Sequence, residues 1–372
     1  MMKTFLHAHA AGLPLNSLLA ACFEQLGDIP PEATLGFVYV SDVLGTDLQA
    51  IINRLKEQTG IQHWVGSIGV GIIASGHEYY DQPALAMLIA DFNEDDFRLL
   101  PNFTHSAELS DDLKNWCSQH TFHVALVHAD PQNPDTQNLL GQLAHNLPEA
   151  FLLGGLTSSR HTAYQIAGAI HHGGLSGVVF SDQVAISSHL TQGCIPVGSR
   201  HRVTQSDRNI AYSLDDRPAL DVLTAECGDL ITRDWEHAAG YIFVGLINSG
   251  ADTDDYTVRQ LVGIDENARI FAIADYLETG SDLLFCRRDG NSAQEDMQRM
   301  LLAMKVRLKK PPRGGIYISC LGRGREQFGE HSEEVRLIHS VLGDFPLAGF
   351  FASGEIHRNR LYGFTGVLTL FL

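Results

Sequence analysis

Several features are scarce or missing in this chain, and each absence removes a class of protein. Six cysteines are spread over 372 residues, at positions 22, 117, 194, 227, 286 and 320, with no CxxC pair. That pattern excludes a disulfide scaffold, a zinc ribbon and a dithiol redox motif, and a reduced, cytoplasmic setting is expected. Positive charge is short: 26 Lys and Arg against 44 Asp and Glu give a formal charge of −18, which argues against nucleic acid and anionic membrane surfaces as partners. No run reaches the ~18 apolar residues of a membrane helix. Residues 1–19 lack a signal-peptide core, because His7, His9 and Asn16 interrupt them. No Gly-Lys-Ser/Thr marks a phosphate loop, and no GxSxG marks a hydrolase elbow. What remains is the composition of a soluble globular protein, 44% hydrophobic with a mean hydropathy of −0.03.

One pattern stands out against these absences. A β-rich run, an amphipathic segment and an apolar run breaking into glycines occur in that order three times. Residues 35–40 (LGFVYV), 48–55 and 64–71 (WVGSIGVG) form the first copy. Residues 124–127 (VALV), 139–147 and 151–155 (FLLGG) form the second, and 316–320 (IYISC), 335–342 and 347–354 (LAGFFASG) the third. Another strand-like run follows each, at 84–90, 177–181 and 366–372. Repetition of this kind predicts internal duplication, with each glycine box on a loop leaving a buried strand. The alternation predicts an α/β protein: duplicated strand–helix–strand units forming two packed mixed β-sheets flanked by helices.

Leu48, Ile51, Ile52 and Leu55 share one helical face ahead of Gly60. Within residues 291–308, Ala293, Met297, Met300, Leu301 and Met304 share another, and such a methionine stripe reads as core. Residues 216–227 read as helix, 184–188 as strand and 193–198 (GCIPVG) as a turn-rich segment. A new set of elements begins with the β-rich run at 241, so the domains expected are 1–230 and 231–372.

Eighteen histidines invite a metal reading. However, His7-Ala8-His9 and His171-His172 have no further ligand at a recognisable spacing, and neither metal nor cofactor is expected. Residues 69–74 match GxGxxA, with Asp91 roughly twenty residues on, as a dinucleotide fingerprint requires. Ser75-Gly76 and Pro83 break the segment that has to be helical, so the match is set aside. The third glycine region carries more chemistry. Cys320-Leu321-Gly322-Arg323-Gly324-Arg325 leaves a predicted strand, bringing backbone N–H groups and two guanidiniums to one loop, a setting for an anion. Glu355 follows Gly354, which aims its carboxylate back across the strand ends. A carboxylate facing an arginine suits capture of a zwitterion such as an amino acid. It equally suits a salt bridge from Arg323 to Glu355 or another acid. Cys320 beside an arginine is either a thiol of lowered pKa or an inert buried one.

At these loops the chain resembles the FIST family, sensory modules built from a FIST N and a FIST C domain. The N-domain likeness lies in 65–91, 152–155 (LLGG), 173–180 (GGLSGVVF) and 191–204 (TQGCIPVGSRHRVT). Residues 209–223 follow, with Pro218-Ala219-Leu220. The C-domain likeness lies in 258–263 (VRQLVG), Arg288-Asp289, 319–324 (SCLGRG) and 346–356 (PLAGFFASGEI). Ser67 stands where many relatives are expected to carry cysteine, so thiol chemistry is not expected there. The resemblance implies a sensor of an amino acid or related small polar metabolite. With no room for an output domain, it reads as a stand-alone copy that signals through a separate protein. No catalytic set comes with the resemblance, and binding is expected over catalysis. The binding residues expected are Arg323, Gly324, Glu355, Cys320 and Arg288, together with Gly193, Cys194 and Gly198. Arginine would take a carboxylate or phosphate, Glu355 a cationic group, and the glycines would let a ligand approach the backbone. Two other functions stay open. One is an enzyme using Cys320 or Cys194 as nucleophile with a histidine base; the other is a ligand-free scaffold in which the glycines serve packing.

Overall fold

A computed structural model describes residues 2–12, 14–147, 149–228, 233, 238–247 and 256–372. They form two compact units: Met1–Thr191 with Met297–Leu361 and Thr365–Leu372, and Gln192–Asp296 with Tyr362–Phe364. The boundary expected at 230/231 lies outside the described residues.

The first unit opens with β1 (Leu6–Ala11), α1 (Leu15–Leu26), β2 (Leu35–Ser41), α2 (Leu48–Thr59) and β3 (His63–Gly69). The hairpin β4 (Gly71–Ala74) and β5 (His77–Tyr80) follows, then β6 (Ala84–Ala90). The same order repeats in β7 (Phe97–Phe103), α3 (Asp111–Cys117), β8 (His123–Ala129), α4 (Thr136–Asn146) and β9 (Ala150–Leu156). The hairpin β10 (Gln165–Ala167) and β11 (Ala169–His171) and the strand β12 (Leu175–Ser181) complete this copy. A third copy starts at β13 (Ile186–Gln192) and is interrupted by the second unit.

That unit contains β14 (Cys194–Asp207), β15 (Ile210–Leu214), β16 (Arg217–Pro218), α5 (Ala219–Cys227), β17 (Ile242–Ile247), β18 (Tyr256–Asp265), β19 (Ile270–Ile273) and β20 (Asp282–Arg288). Its strands pair antiparallel in the order β14-β20-β17-β18-β19-β15, and β15 pairs again with β14, closing a barrel. Closure leaves these strands without free edges. α5 adds Ala219, Leu220, Val222 and Leu223 to a core with Val203, Val244, Phe271 and Phe285. The segment at 193–198 is strand from Cys194 onward, not turn. A bulge between Val197 and Arg200 absorbs it against β20, and Gly198 takes the positive φ of 70° found there.

The third copy resumes with α6 (Gly290–Arg307), β21 (Gly314–Cys320), α7 (Gly324–Phe328), α8 (Glu333–Leu342) and β22 (Leu347–Ala352). It ends with the hairpin β23 (Glu355–His357) and β24 (Arg360–Tyr362), then β25 (Thr365–Phe371). In every copy one strand pairs in parallel with the next across a helix and antiparallel with the last. β2 thus joins β3 and β6, β8 joins β9 and β12, and β21 joins β22 and β25. Parallel pairing requires a crossover, which α2, α4 and α8 supply. Each hairpin leaves its own sheet: β10 pairs with β3, β23 with β9 and β4 with β22. The protein is therefore α/β with repeated strand–helix–strand units, as expected. Among the described residues the mixed sheets number three, tied in a cycle by exchanged hairpins, and the fourth sheet is the antiparallel barrel.

The first glycines of the three boxes are in equivalent environments, but inside strands instead of on loops, while Gly354 of the third box lies between β22 and β23. Gly66, Gly154 and Gly349 face Val38, Val127 and Tyr317 on one side and Ile166, Ile356 and Ile73 on the other. A Cβ there would sit 1.7, 1.8 and 1.7 Å from the carbonyl oxygens of Val38, Val127 and Tyr317, so any side chain would push the strands apart. The expected stripes are also in place. α2 buries Leu48, Ile51, Ile52 and Leu55 and ends at Gly60 with φ 75°, and α6 buries Ala293, Met297, Met300, Leu301 and Met304. After Gly69 the GxGxxA segment continues as β4, a strand. Phe37, Phe180, Phe350 and Phe371 bring all three mixed sheets into one core cluster.

Candidate functional site

The C-terminal end of β21 gathers four of the expected residues. All seven residues of β21 are buried, and its last, Cys320, hands the chain to a loop that must turn sharply into α7. Gly324 makes that turn at φ 46°, with the Tyr80 hydroxyl 2.6 Å from where a Cβ would lie; a side chain would meet strain and collision together.

Arg323 points inward and is fully buried. Its acid is Glu334, not Glu355: Nε and Nη2 donate to Glu334 Oε2 at 3.2 and 3.1 Å, and the guanidinium lies 4.7 Å from the Phe328 ring centroid. Glu334 also accepts from the Gly324 N–H at 2.8 Å, from Ser319 Oγ at 3.0 Å and from the Tyr317 hydroxyl. A buried ion pair persists when the remaining lone pairs are satisfied in this way. Arg323 Nη1 alone has no hydrogen-bond partner among the described residues.

Glu355, on β23, is fully buried beside this pair. Its Oε2 accepts from the backbone N–H and hydroxyl of Thr365 at 3.1 and 2.7 Å, while Oε1 makes no bond of good geometry. Burial pushes its carboxyl up to about 8, against the pull of Thr365, the Arg323 charge and the Cys320 thiol. Glu78 completes the group. Burial, reinforced by the Glu334 charge, pushes it up to about 7, although it accepts from the Tyr80 hydroxyl at 2.6 Å and the Val335 N–H at 3.1 Å. Glu334 and Glu355 thus neighbour the Arg323 guanidinium and Glu78 neighbours Glu334, and burial holds Glu355 and Glu78 toward their neutral form.

The other four expected residues lie in the barrel unit. Cys194 pairs in register with Arg288 across β14 and β20 and is buried, and its carbonyl accepts from the Tyr256 hydroxyl at 2.9 Å. Gly193 precedes β14. Gly198 leaves room for Glu226, whose Oε2 would lie 1.5 Å from a Cβ at that position. Glu226 and Asp215 flank His201, at 3.2 Å from Nε2 and 2.7 Å from Nδ1. None of the six cysteines is in a disulfide. His7 and His9 do share the strand β1, but their Nδ1 atoms contact Ser75 Oγ at 3.2 Å and Tyr79 OH at 2.6 Å.

The sequence reading missed Glu334, Glu78, Tyr80, Tyr317 and Thr365. For Glu334 a signal existed: it shares the buried face of α8 with Ile338 and Val341, and a carboxylate on an apolar stripe requires a buried partner.

Repeated α/β units enclosing a buried polar cluster define the class. The family follows from comparison: residues 34–217 match the FIST N domain and 219–358 the FIST C domain, and the chain belongs to the FIST family. FIST domains are generally small-ligand sensory and signal-transduction domains. An uncharacterized protein of Mycobacterium tuberculosis (strain H37Rv) is 29% identical over 339 residues, covering 88% of this chain and 87% of its own length. Another, from Mycobacterium bovis, is 27% identical over 363 residues, covering 94% and 92%. No helix among the described residues is long and apolar enough to cross a membrane.

Proposed function

We propose that the chain binds a small polar metabolite bearing an ammonium and an oxyanion group, such as an amino acid, at the end of β21, and passes the signal to a partner protein in the cytoplasm. Cys320, Arg323, Gly324 and Glu355 form the site. The observation carrying this reading is a buried charge cluster in which, among the described residues, Arg323 Nη1 has no partner and Glu355 Oε1 has no bond of good geometry, the Cys320 thiol being a weak donor to the same carboxyl. Buried polar atoms without partners are costly, and a ligand offering one acceptor and one donor would satisfy both. Glu334 already occupies the rest of Arg323, so Arg323 contributes one donor and a positive field. Glu355 provides the counter-charge once the positive charge of a bound ammonium lowers its pKa and its proton leaves to solvent. Affinity should therefore rise with pH toward 8, with proton release on binding.

A thermal-shift screen of the full chain against amino acids, amines and organic acids tests the reading, because a ligand at 100 Kd adds about 2.7 kcal/mol to stability. A hit whose shift is lost in Glu355→Gln supports it. No shift from any member at 10 mM, about a hundred times a 0.1 mM Kd, rejects it.

A further inference from the structure

The buried cluster needs a way in, and the turn between β5 and β6 covers it. Tyr80 packs on Gly324 with its ring 4.9 Å from Phe351, and its hydroxyl accepts from the Arg325 N–H at 3.1 Å. The next residue, Asp81, sits at φ 52° and is half exposed. Two arginines, one on the loop after β9 and one in α7, hold its carboxylate: Arg160 Nη2 reaches Oδ1 at 2.5 Å and Arg325 Nη2 reaches Oδ2 at 2.7 Å. Both arginines are also held without Asp81. Arg160 is anchored through its backbone N–H and Nη1 to buried Asp42, at 2.9 and 3.1 Å. The Arg325 guanidinium lies 5.1 Å from the Tyr80 ring centroid, and its Nε lies 3.7 Å from Glu326 Oε1, a contact that does not involve the Tyr80–Asp81 turn. The hydrogen bond from Arg325, with the charges of both arginines, holds the Asp81 carboxyl below its usual range.

We propose that Arg160 and Arg325 form an oxyanion-binding pair that Asp81 occupies from within the chain. As the first step of entry, before it reaches Arg323, the carboxylate or phosphate of the ligand displaces Asp81 and lifts the Tyr80–Asp81 turn off the Cys320 loop. This rests on the ligand reading above and extends it to how the ligand gains access. Two guanidiniums directed at one carboxylate already have the geometry an oxyanion requires. Exposed ion pairs are weak and screened by salt, so a free anion can compete with Asp81. The internal competitor lowers apparent affinity by the fraction of time it occupies the pair.

Calorimetric titration of the full chain at low ionic strength, with inorganic phosphate and with acetate, tests this. Asp81→Asn keeps a residue that tolerates positive φ and is expected to bind at least one probe tenfold or more tighter than the wild type. Adding Arg160→Gln or Arg325→Gln to that variant should remove the gain. Tighter phosphate binding would assign a phosphorylated ligand, and tighter acetate binding a carboxylate. The proposal is overturned by no gain in Asp81→Asn, or by a gain that survives loss of both arginines. Adding Glu355→Gln to Asp81→Asn should leave probe binding intact, so failure of the buried site and failure of the arginine pair give different results.

Discussion

Cys320 and Asp130 occupy the same place in different copies of the repeat, each three residues past the position facing the in-strand glycine, and they do different things. Asp130 closes its loop by itself, accepting from the Gln132 N–H at 2.9 Å and the Gly173 N–H at 2.8 Å. In the first copy Ser41 does the equivalent, accepting from the Ala84 N–H at 2.8 Å. In the third copy the residue at 320 is a thiol that acts on Glu355. Glu355 reaches in from the neighbouring hairpin to hold the Thr365 N–H, and Arg323 with Glu334 fixes the loop. The difference teaches that one local hydrogen bond suffices to close such a strand end. The third end spends two buried acids and an arginine on the task, more than closure alone requires.

That contrast can be broken at several strengths. Arg323→Ala strands Glu334 in the core and should cost about 3–5 kcal/mol in urea unfolding. The next effect is a pH dependence. The folded carboxyl of Glu355 is raised to about 8 from 4.5, so its contribution is present below about pH 4.5 and is lost as pH rises through 8. Stability should fall by about 3 kcal/mol or more between pH 5 and pH 8, and Glu355→Gln should flatten the curve. Gly66→Ala, Gly154→Ala and Gly349→Ala should each cost about 2 kcal/mol or more, and by similar amounts, since the three meet the same obstruction. Unequal losses would show that the copies are equivalent in pattern only. Asp130→Asn, which weakens the two bonds that close its loop, should cost about 1 kcal/mol. Cys320→Ser should change stability by less than about 0.5 kcal/mol, because a hydroxyl can keep the contact that the thiol makes with Glu355. A loss as large as that of Asp130→Asn would erase the distinction between the two strand ends.

Much of the fold was legible because it is written in short-range pattern. The helices α2 and α6 follow from apolar residues at 3.6-residue spacing. The three copies follow from runs of β-branched and aromatic residues at matching intervals, and the final strands fall within a residue or two of β6, β12 and β25. At the site, Cys320, Arg323 and Glu355 were brought together by one observation, that two glycine-bearing strand ends in the same copy carry charges. Their pairing was not legible. Choosing Glu334 over Glu355 for Arg323 depends on where α8 sits against β21, which is a matter of packing.

The chain alone determined its class, its three-fold repetition, the helices with their buried faces and the glycines that no other residue can replace. These rest on backbone sterics and on periodicity within some fifteen residues. Tertiary structure decided the exchange of hairpins among sheets, the closure of the barrel and the composition of the site. Glu78 meets Val335 across 257 residues and Arg160 meets Asp42 across 118. Contacts at that separation are set by which apolar faces can be buried together, and local sequence pattern does not encode that choice.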